Sequence, residues 1–189
     1  MPASQTVARR KMFKLLGAEL ELILAKEGMT GAIRRVEELI ENYSNAIMPQ
    51  QFHNEANTNI HACITAEEIW TDTDGLVDVI VLSVGSGGTL TGCGRLLKAR
   101  NPEIKIIAVE LEDSAMLSGG GPGSHRIEGI GAGFVPPILD QSLIDGVITI
   151  ASESAFISAR QVLGLEDFLL GFLQELLWRR LLKYAGELK

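Results

Sequence analysis

Between Gly85 and Thr89 the chain reads Gly-Ser-Gly-Gly-Thr. Glycine permits positive φ and lets a ligand approach the backbone closely. Ser86 and Thr89 add two hydroxyl donors. Upstream, residues 77–84 form a nearly continuous apolar run rich in β-branched side chains, and Leu90, Cys93 and Leu97 follow at helical spacing. A loop that joins a strand to a helix N-terminus presents N–H groups at the positive end of the helix dipole, which suits phosphate. The loop is not a Walker A sequence, because no Gly-Lys-Ser/Thr follows. Nor is it a complete Gly-x-Gly-x-x-Gly, since Leu90 stands where the third glycine would be. A tight βα turn with no ligand is the plainer reading of the same residues.

Other chemistry-bearing residues are more scattered. Glu110 ends the next strand, where a dinucleotide fold places an acid for ribose hydroxyls. That makes a nucleotide-binding oxidoreductase domain one alternative. Yet Tyr184 is not followed by Lys at +4, and Glu110 also reads as a solvated strand end. His53, His61 and His125 have no carboxylate or serine in a triad-like pattern, so they read as surface or loop residues. Cys63 and Cys93 form neither a CxxC nor a metal-ligand spacing, and read as small core residues in a reducing compartment. Glu166, Asp167, Glu175 and Glu187 read as a solvated helix face.

These residues need a scaffold, and the chain supplies one by alternation. A helix is expected from Ser4 to Leu16, with Gly17 as its stop, and a second over 29–43. Short strands are expected at 20–24 and 46–48. A helix follows over 60–70. Residues 77–84 read as a strand buried on both faces, as in a parallel sheet. The helix after the glycine loop stops at Asn101-Pro102, and 104–109 is the next strand, completing a βαβ unit. Residues 113–137 form a long loop, 143–150 a last strand, and 152–162 and 165–183 two more helices. The expected class is α/β, with a mainly parallel open sheet flanked by helices.

The 189 residues carry a net charge of −7 and a pI near 5.0, which argues against a nucleic-acid binder. With 46% hydrophobic and 22% charged residues, a folded core is expected. The first residues lack the apolar segment of a secretory leader, and no apolar run is long enough to span a membrane. A cytoplasmic protein is expected. Leu169, Phe172, Leu173, Leu176, Leu177 and Leu181 make a broad apolar stripe, which reads as core, as a cover for an exposed sheet, or as a surface for another chain.

Taken together, MPASQTVARRK, LLGAEL, GMTGAI, QQFHNEANTNIH, TAEEIWTDTDG, VGSGGTLTG, AVELEDSAMLSGG and HRIEGIGAGFVP resemble cysteine synthase (O-acetylserine sulfhydrylase). This is a pyridoxal-phosphate enzyme family of fold type II, with a tryptophan synthase β-like architecture. The resemblance covers roughly residues 1–171 and is most specific where VGSGGTLTG stands beside GIGAGF. It implies that residues 1–51 are a remnant of the smaller N-terminal domain, and that 52–189 are the larger, cofactor-phosphate-binding domain. Gly85, Ser86, Gly87, Gly88 and Thr89 match the loop around the phosphate of pyridoxal phosphate. Gln51 and Phe52 match residues near the amino-acid substrate, and Gly129, Ile130 and Gly131 match backbone that lines the cleft. The family reaction converts O-acetylserine and sulfide to cysteine and acetate.

The departures from the family pattern bear on activity. The family's Schiff-base lysine, and a loop that grips the substrate carboxylate, precede the segment that MPAS matches. None of Lys11, Lys14, Lys26, Lys98, Lys105, Lys183 and Lys189 sits in that lysine motif. Where the family has Gly-Ile-Ser-Ser-Gly, this chain has Gly171-Phe172-Leu173-Gln174-Glu175. β-Replacement needs a base at the substrate α-proton. The expectation is therefore a chain truncated at both ends that holds the phosphate but makes no cysteine alone. A non-catalytic partner of a complete cysteine synthase or of serine acetyltransferase, and a homodimer, are further expectations.

Overall fold

The computed structural model describes residues 1–158, and the expectations for 159–189 lie outside the described residues. The chain divides into two compact units, Met1–Pro49 and a larger one that begins at Gln50.

The first unit holds α1 (Val7–Leu15) and α2 (Gly28–Ile40). Thr6, not Ser4, caps α1: its hydroxyl accepts from Arg9 N–H at 3.3 Å. Gly17 follows the helix with φ of 80°, the left-handed stop that its sequence suggested. The expected strand at 20–24 is reduced to one isolated parallel bridge, Pro2 with Ile23. Residues 46–48 form no strand. Arg35 joins Glu21 at 2.5 Å and Glu38 at 2.8 Å, and Arg34 joins Glu27 at 2.6 Å. Glu27, Arg34, Arg35 and Glu38 rim a groove of about 490 Å³ that is lined also by Leu22, Ile23 and Leu24. α1 buries none of its residues, and Val7, Leu15, Leu16 and Ile47 are exposed.

The larger unit is built on a parallel sheet, ordered β1 (Val79–Ser83), β2 (Lys105–Leu111), β3 (Gly146–Ile150) among the described residues. In register, Val81 faces Ile107 and Val109 faces Ile148. Successive strand side chains point to opposite faces. Ile80, Ile106 and Ala108 join a core with Leu90, Cys93, Leu97 and Leu139. Val81, Ile107, Val109 and Leu111 join another with Ile127, Ile130, Ile150 and Ala155. Both faces are covered, which is why the strands read as unbroken apolar runs.

The helices α3 (Ala56–Ile60) and α4 (Ala66–Asp72) are joined by a π-helical segment, His61–Thr65. They pack on α5 (Gly88–Arg100), the crossover between β1 and β2. Here glycine has a packing role. A Cβ at Gly92 would fall on the Thr58 carbonyl oxygen and within 2.8 Å of the His61 Cβ. Cys93 is buried in this contact, and burial pushes its thiol up to about 11. Cys63, expected in the core, is exposed on the π-helical segment. Residues 152–158 are helical, as expected for the start of the 152–162 helix.

Asp145, just before β3, ties sheet to helix. It accepts from Lys98 Nζ at 2.7 Å and from Ile106 N–H at 2.8 Å, with Lys105 Nζ 3.6 Å away. Burial acts to raise its carboxyl pKa, but the hydrogen bonds from Lys98 and Ile106 and the charges of Lys98 and Lys105 outweigh it. The net effect holds the group below the usual carboxylate range.

Two outcomes follow. Asp145→Asn should lower unfolding free energy at neutral pH by about 1 kcal/mol. Because the folded pKa is depressed, that contribution is complete above the unfolded carboxylate pKa. It fades as pH falls through the folded value, so wild-type and variant denaturation midpoints should converge in acid. A gap that stays constant with pH would refute the linkage. A chromogenic disulfide reagent at neutral pH should titrate Cys63 in the folded chain, and Cys93 only after denaturant is added.

Candidate functional site: an anion cradle at the start of α5

β1 ends at Ser83 and α5 begins at Gly88, so four residues turn the chain. Gly87 makes the turn with φ of 88° in the left-handed region. A side chain there would be strained and would also meet the Leu139 Cβ at 2.9 Å. A Cβ at Gly88 would fall on the Asn57 amide, and one at Gly85 on the Gly129 carbonyl oxygen. The three glycines therefore let three other segments close on the loop.

Two helical residues organise the hydroxyls. Asn57 Nδ2 donates to Ser86 Oγ at 2.9 Å and to the Gln51 carbonyl at 2.8 Å. Thr89 Oγ1 lies 3.1 Å from His61 Nε2. The first hydrogen bond of α5 is Thr91 N–H to Gly87 O, so the N–H groups of Gly88, Thr89 and Leu90 have no acceptor within the helix, and that of Gly88 reaches Ser86 Oγ at 3.4 Å. Thr91 is buried. Its hydroxyl donates to Ile138 O at 3.0 Å and accepts from Asp140 N–H at 3.0 Å, fixing the 138–140 segment against α5. Amide donors, a dipole end and two hydroxyls thus stand together at one helix start, the donor types that a phosphate site uses.

The other expected site residues gather nearby. Phe52 is buried and meets Phe134 edge-on, with ring centroids 5.0 Å apart. Gln51 is exposed and joins the loop through its backbone carbonyl on Asn57. Gly129 has φ of 95° and lies against Gly85. Ile130 is turned into the core below the sheet. Gly131 lines, with Gly85, Glu110, Ser114 and Phe134, a cavity of about 20 Å³. Such a volume suits one water molecule.

Two site residues depart from their sequence reading, and a third carried none. Glu110 is not a solvated strand end: it is 4% exposed, and its two oxygens accept from Leu117 N–H at 2.7 Å and Ser118 N–H at 2.8 Å. The carboxylate is engaged with its own chain, which removes the ground for a ribose-binding acid. His61 is not a surface or loop histidine: it is half-buried in helix and touches Thr89. Asn57 was not singled out at all. Its only local signal is a polar residue early in a helix, and its partner is distant in sequence.

Residues 1–172 match the family described as pyridoxal-phosphate dependent enzyme. The chain belongs to this family. It is 46% identical over 156 residues to a cysteine synthase of a Flavobacterium species, covering 82% of this chain and 51% of that one. The crystal structure of a cysteine synthase from Entamoeba histolytica superposes with a TM-score of 0.83 at 44% identity, over 93% of this chain and 52% of the other. A hydrogen sulfide-producing enzyme from Fusobacterium nucleatum gives a TM-score of 0.92 at 33% identity, over 99% and 63%. The chain spans about half the length of the curated relatives it matches. The architecture is that of fold type II pyridoxal-phosphate enzymes, as the sequence motifs implied. Among the described residues no helix is long and apolar enough to cross a membrane.

Gly85→Ala should drive residue 85 against the Gly129 carbonyl and cost about 1–3 kcal/mol of stability. Ser86→Ala should cost far less, because it removes a contact without adding volume. Equal denaturation midpoints for Gly85→Ala and wild type would show that 129–131 does not rest on the loop.

Proposed function

We propose that residues 85–89 hold the phosphate of pyridoxal phosphate, in a chain of the cysteine synthase type. The reaction served is β-replacement on an amino acid: the C–O bond of O-acetylserine breaks, a C–S bond to sulfide forms, and acetate leaves. The observation that carries this reading is that Ser86, Thr89 and the first-turn amides stand together at the start of α5, behind a left-handed Gly87. The similarity to cysteine synthases supports the choice of reaction. On the same reading, residues 1–51 correspond to part of a smaller domain and 52–189 to the larger one. The protein is cytoplasmic and dimeric, and serine acetyltransferase is a partner.

The residues fit the group. A phosphate receives hydrogen bonds from the amides and the Ser86 and Thr89 hydroxyls, and the dipole of α5 favours its charge. When bound, the cofactor supplies the electron sink for chemistry at the substrate α-carbon. Gln51 and the 129–131 backbone are the proposed substrate-side groups, with the edge-on Phe52–Phe134 pair as an apolar neighbour. Proton transfer at the α-carbon requires a base. Among the described residues of the larger unit the lysines are Lys98 and Lys105, both within ion-pair distance of Asp145. Neither stands at the cradle. None of the seven lysines sits in the family's lysine motif, and on that ground the 189 residues on their own are proposed to bind the cofactor without cysteine formation.

Pyridoxal phosphate added to the purified 189-residue chain should remain after desalting, near one equivalent, and leave no covalent adduct after borohydride. The double variant Ser86→Ala, Thr89→Val should weaken retention roughly tenfold or more. Cysteine formation from O-acetylserine and sulfide should equal the protein-free control. Turnover above that control, or a borohydride-stable adduct, would overturn the non-catalytic assignment. No retention at all would overturn the cofactor assignment.

A further inference from the structure

We propose that His61 sets the direction of the Thr89 hydroxyl and is thereby a positioning residue for the anion in the 85–89 cradle. The inference rests on the phosphate reading of that cradle. His61 Nδ1 lies 3.0 Å from Thr65 Oγ1, and Nε2 lies 3.1 Å from Thr89 Oγ1. Both ring nitrogens thus face a hydroxyl. A neutral imidazole has one N–H and one acceptor nitrogen, while a hydroxyl can donate or accept. Only two neutral arrangements follow. In one, Nδ1–H donates to Thr65 and Nε2 accepts the Thr89 O–H, so the Thr89 proton is spent on the histidine. In the other, the Thr65 O–H donates to Nδ1 and Nε2–H donates to Thr89 Oγ1. The Thr89 proton is then free to point at an anion.

A phosphate accepts hydrogen bonds and donates few, so its arrival favours the second arrangement. The chain then runs in one direction: Thr65 O–H to His61, His61 N–H to Thr89, Thr89 O–H to the phosphate. Each link polarises the next. The backbone of the residue is held from behind. Gly92 admits the His61 Cβ at close range, and the Cys93 thiol donates to the His61 carbonyl at 3.8 Å. The ring stands on the π-helical segment that interrupts the α3–α4 run, which also carries Thr65. Such interruptions are frequent at functional positions.

The test uses the 189-residue chain, with inorganic phosphate and pyridoxal phosphate as separate probes. Nitrogen-15 NMR of the ring should show Nε2 protonated and Nδ1 unprotonated once either probe is bound. His61→Phe should weaken affinity roughly three- to tenfold, the worth of one hydrogen bond. His61→Gln, which keeps an N–H donor, should restore most of it. In a Thr89→Val background, His61→Phe should cause no further loss, since the coupling runs through that hydroxyl. A bound state with Nδ1–H, or an equal loss with and without Thr89, would overturn the proposal. The ring measurement on the unaltered chain stands even where a variant fails to fold. If the unaltered chain binds neither probe, the cradle reading fails, and this inference with it. If it binds and only the His61 predictions fail, the cradle reading survives.

Discussion

The site depends on one close approach, that of the helical run beginning at Ala56 onto the first two turns of α5. Gly88 and Gly92 are one helical turn apart, and both leave room where a Cβ would collide with residues 57–62. That contact brings Asn57 to Ser86 and His61 to Thr89. It also closes Cys93 off from water. Two alanines here would move the helices apart, and the hydroxyls would lose both partners together. Packing and polar geometry are thus set by the same absence of side chains, as expected where interiors are close-packed and backbone groups must be satisfied.

The sheet supplies the rigid base for this contact. β1 and β2 are covered on both faces, so their C-terminal ends hold Gly85 and Glu110 in fixed relation. Glu110 draws residues 117–118 back to the end of β2, and Thr91 holds residues 138–140 on α5. The long segment between β2 and β3 is therefore anchored at its two ends by single polar side chains. The segment between those anchors, with Gly129 and Gly131, comes to lie against the cradle.

How much of this was legible follows from what each signal depends on. β1, α5 and β2 were readable because their patterns are local: a β-branched run, glycines at a strand end, apolar residues at helical spacing, then Asn-Pro. The glycine loop was readable for the same reason. The strand expected at 20–24 has apolar residues but only a single bridge, because a strand exists through its neighbour and composition does not supply one. The reading of 60–70 as a helix missed the π-helical segment, and reading Cys63 as a small core residue from its type alone put it inside. Glu110 and His61 were misread for a common reason. Their partners, Leu117 and Thr89, are contacts of the folded chain and leave no trace in periodicity.

The clasp made by Glu110 has a consequence for how the chain reaches this fold. Parallel pairing of β2 with β3 must close the whole connection from 112 to 145, a non-local event that slows folding. A carboxylate that accepts from amides seven and eight residues downstream spans a much shorter loop. Loop-closure entropy grows only slowly with length, so the clasp adds little to final stability by this route. What it sets is direction: with residues 117–118 held at the end of β2, the segment leaves that strand already turned, and the connection to β3 is tethered at 118 instead of 112.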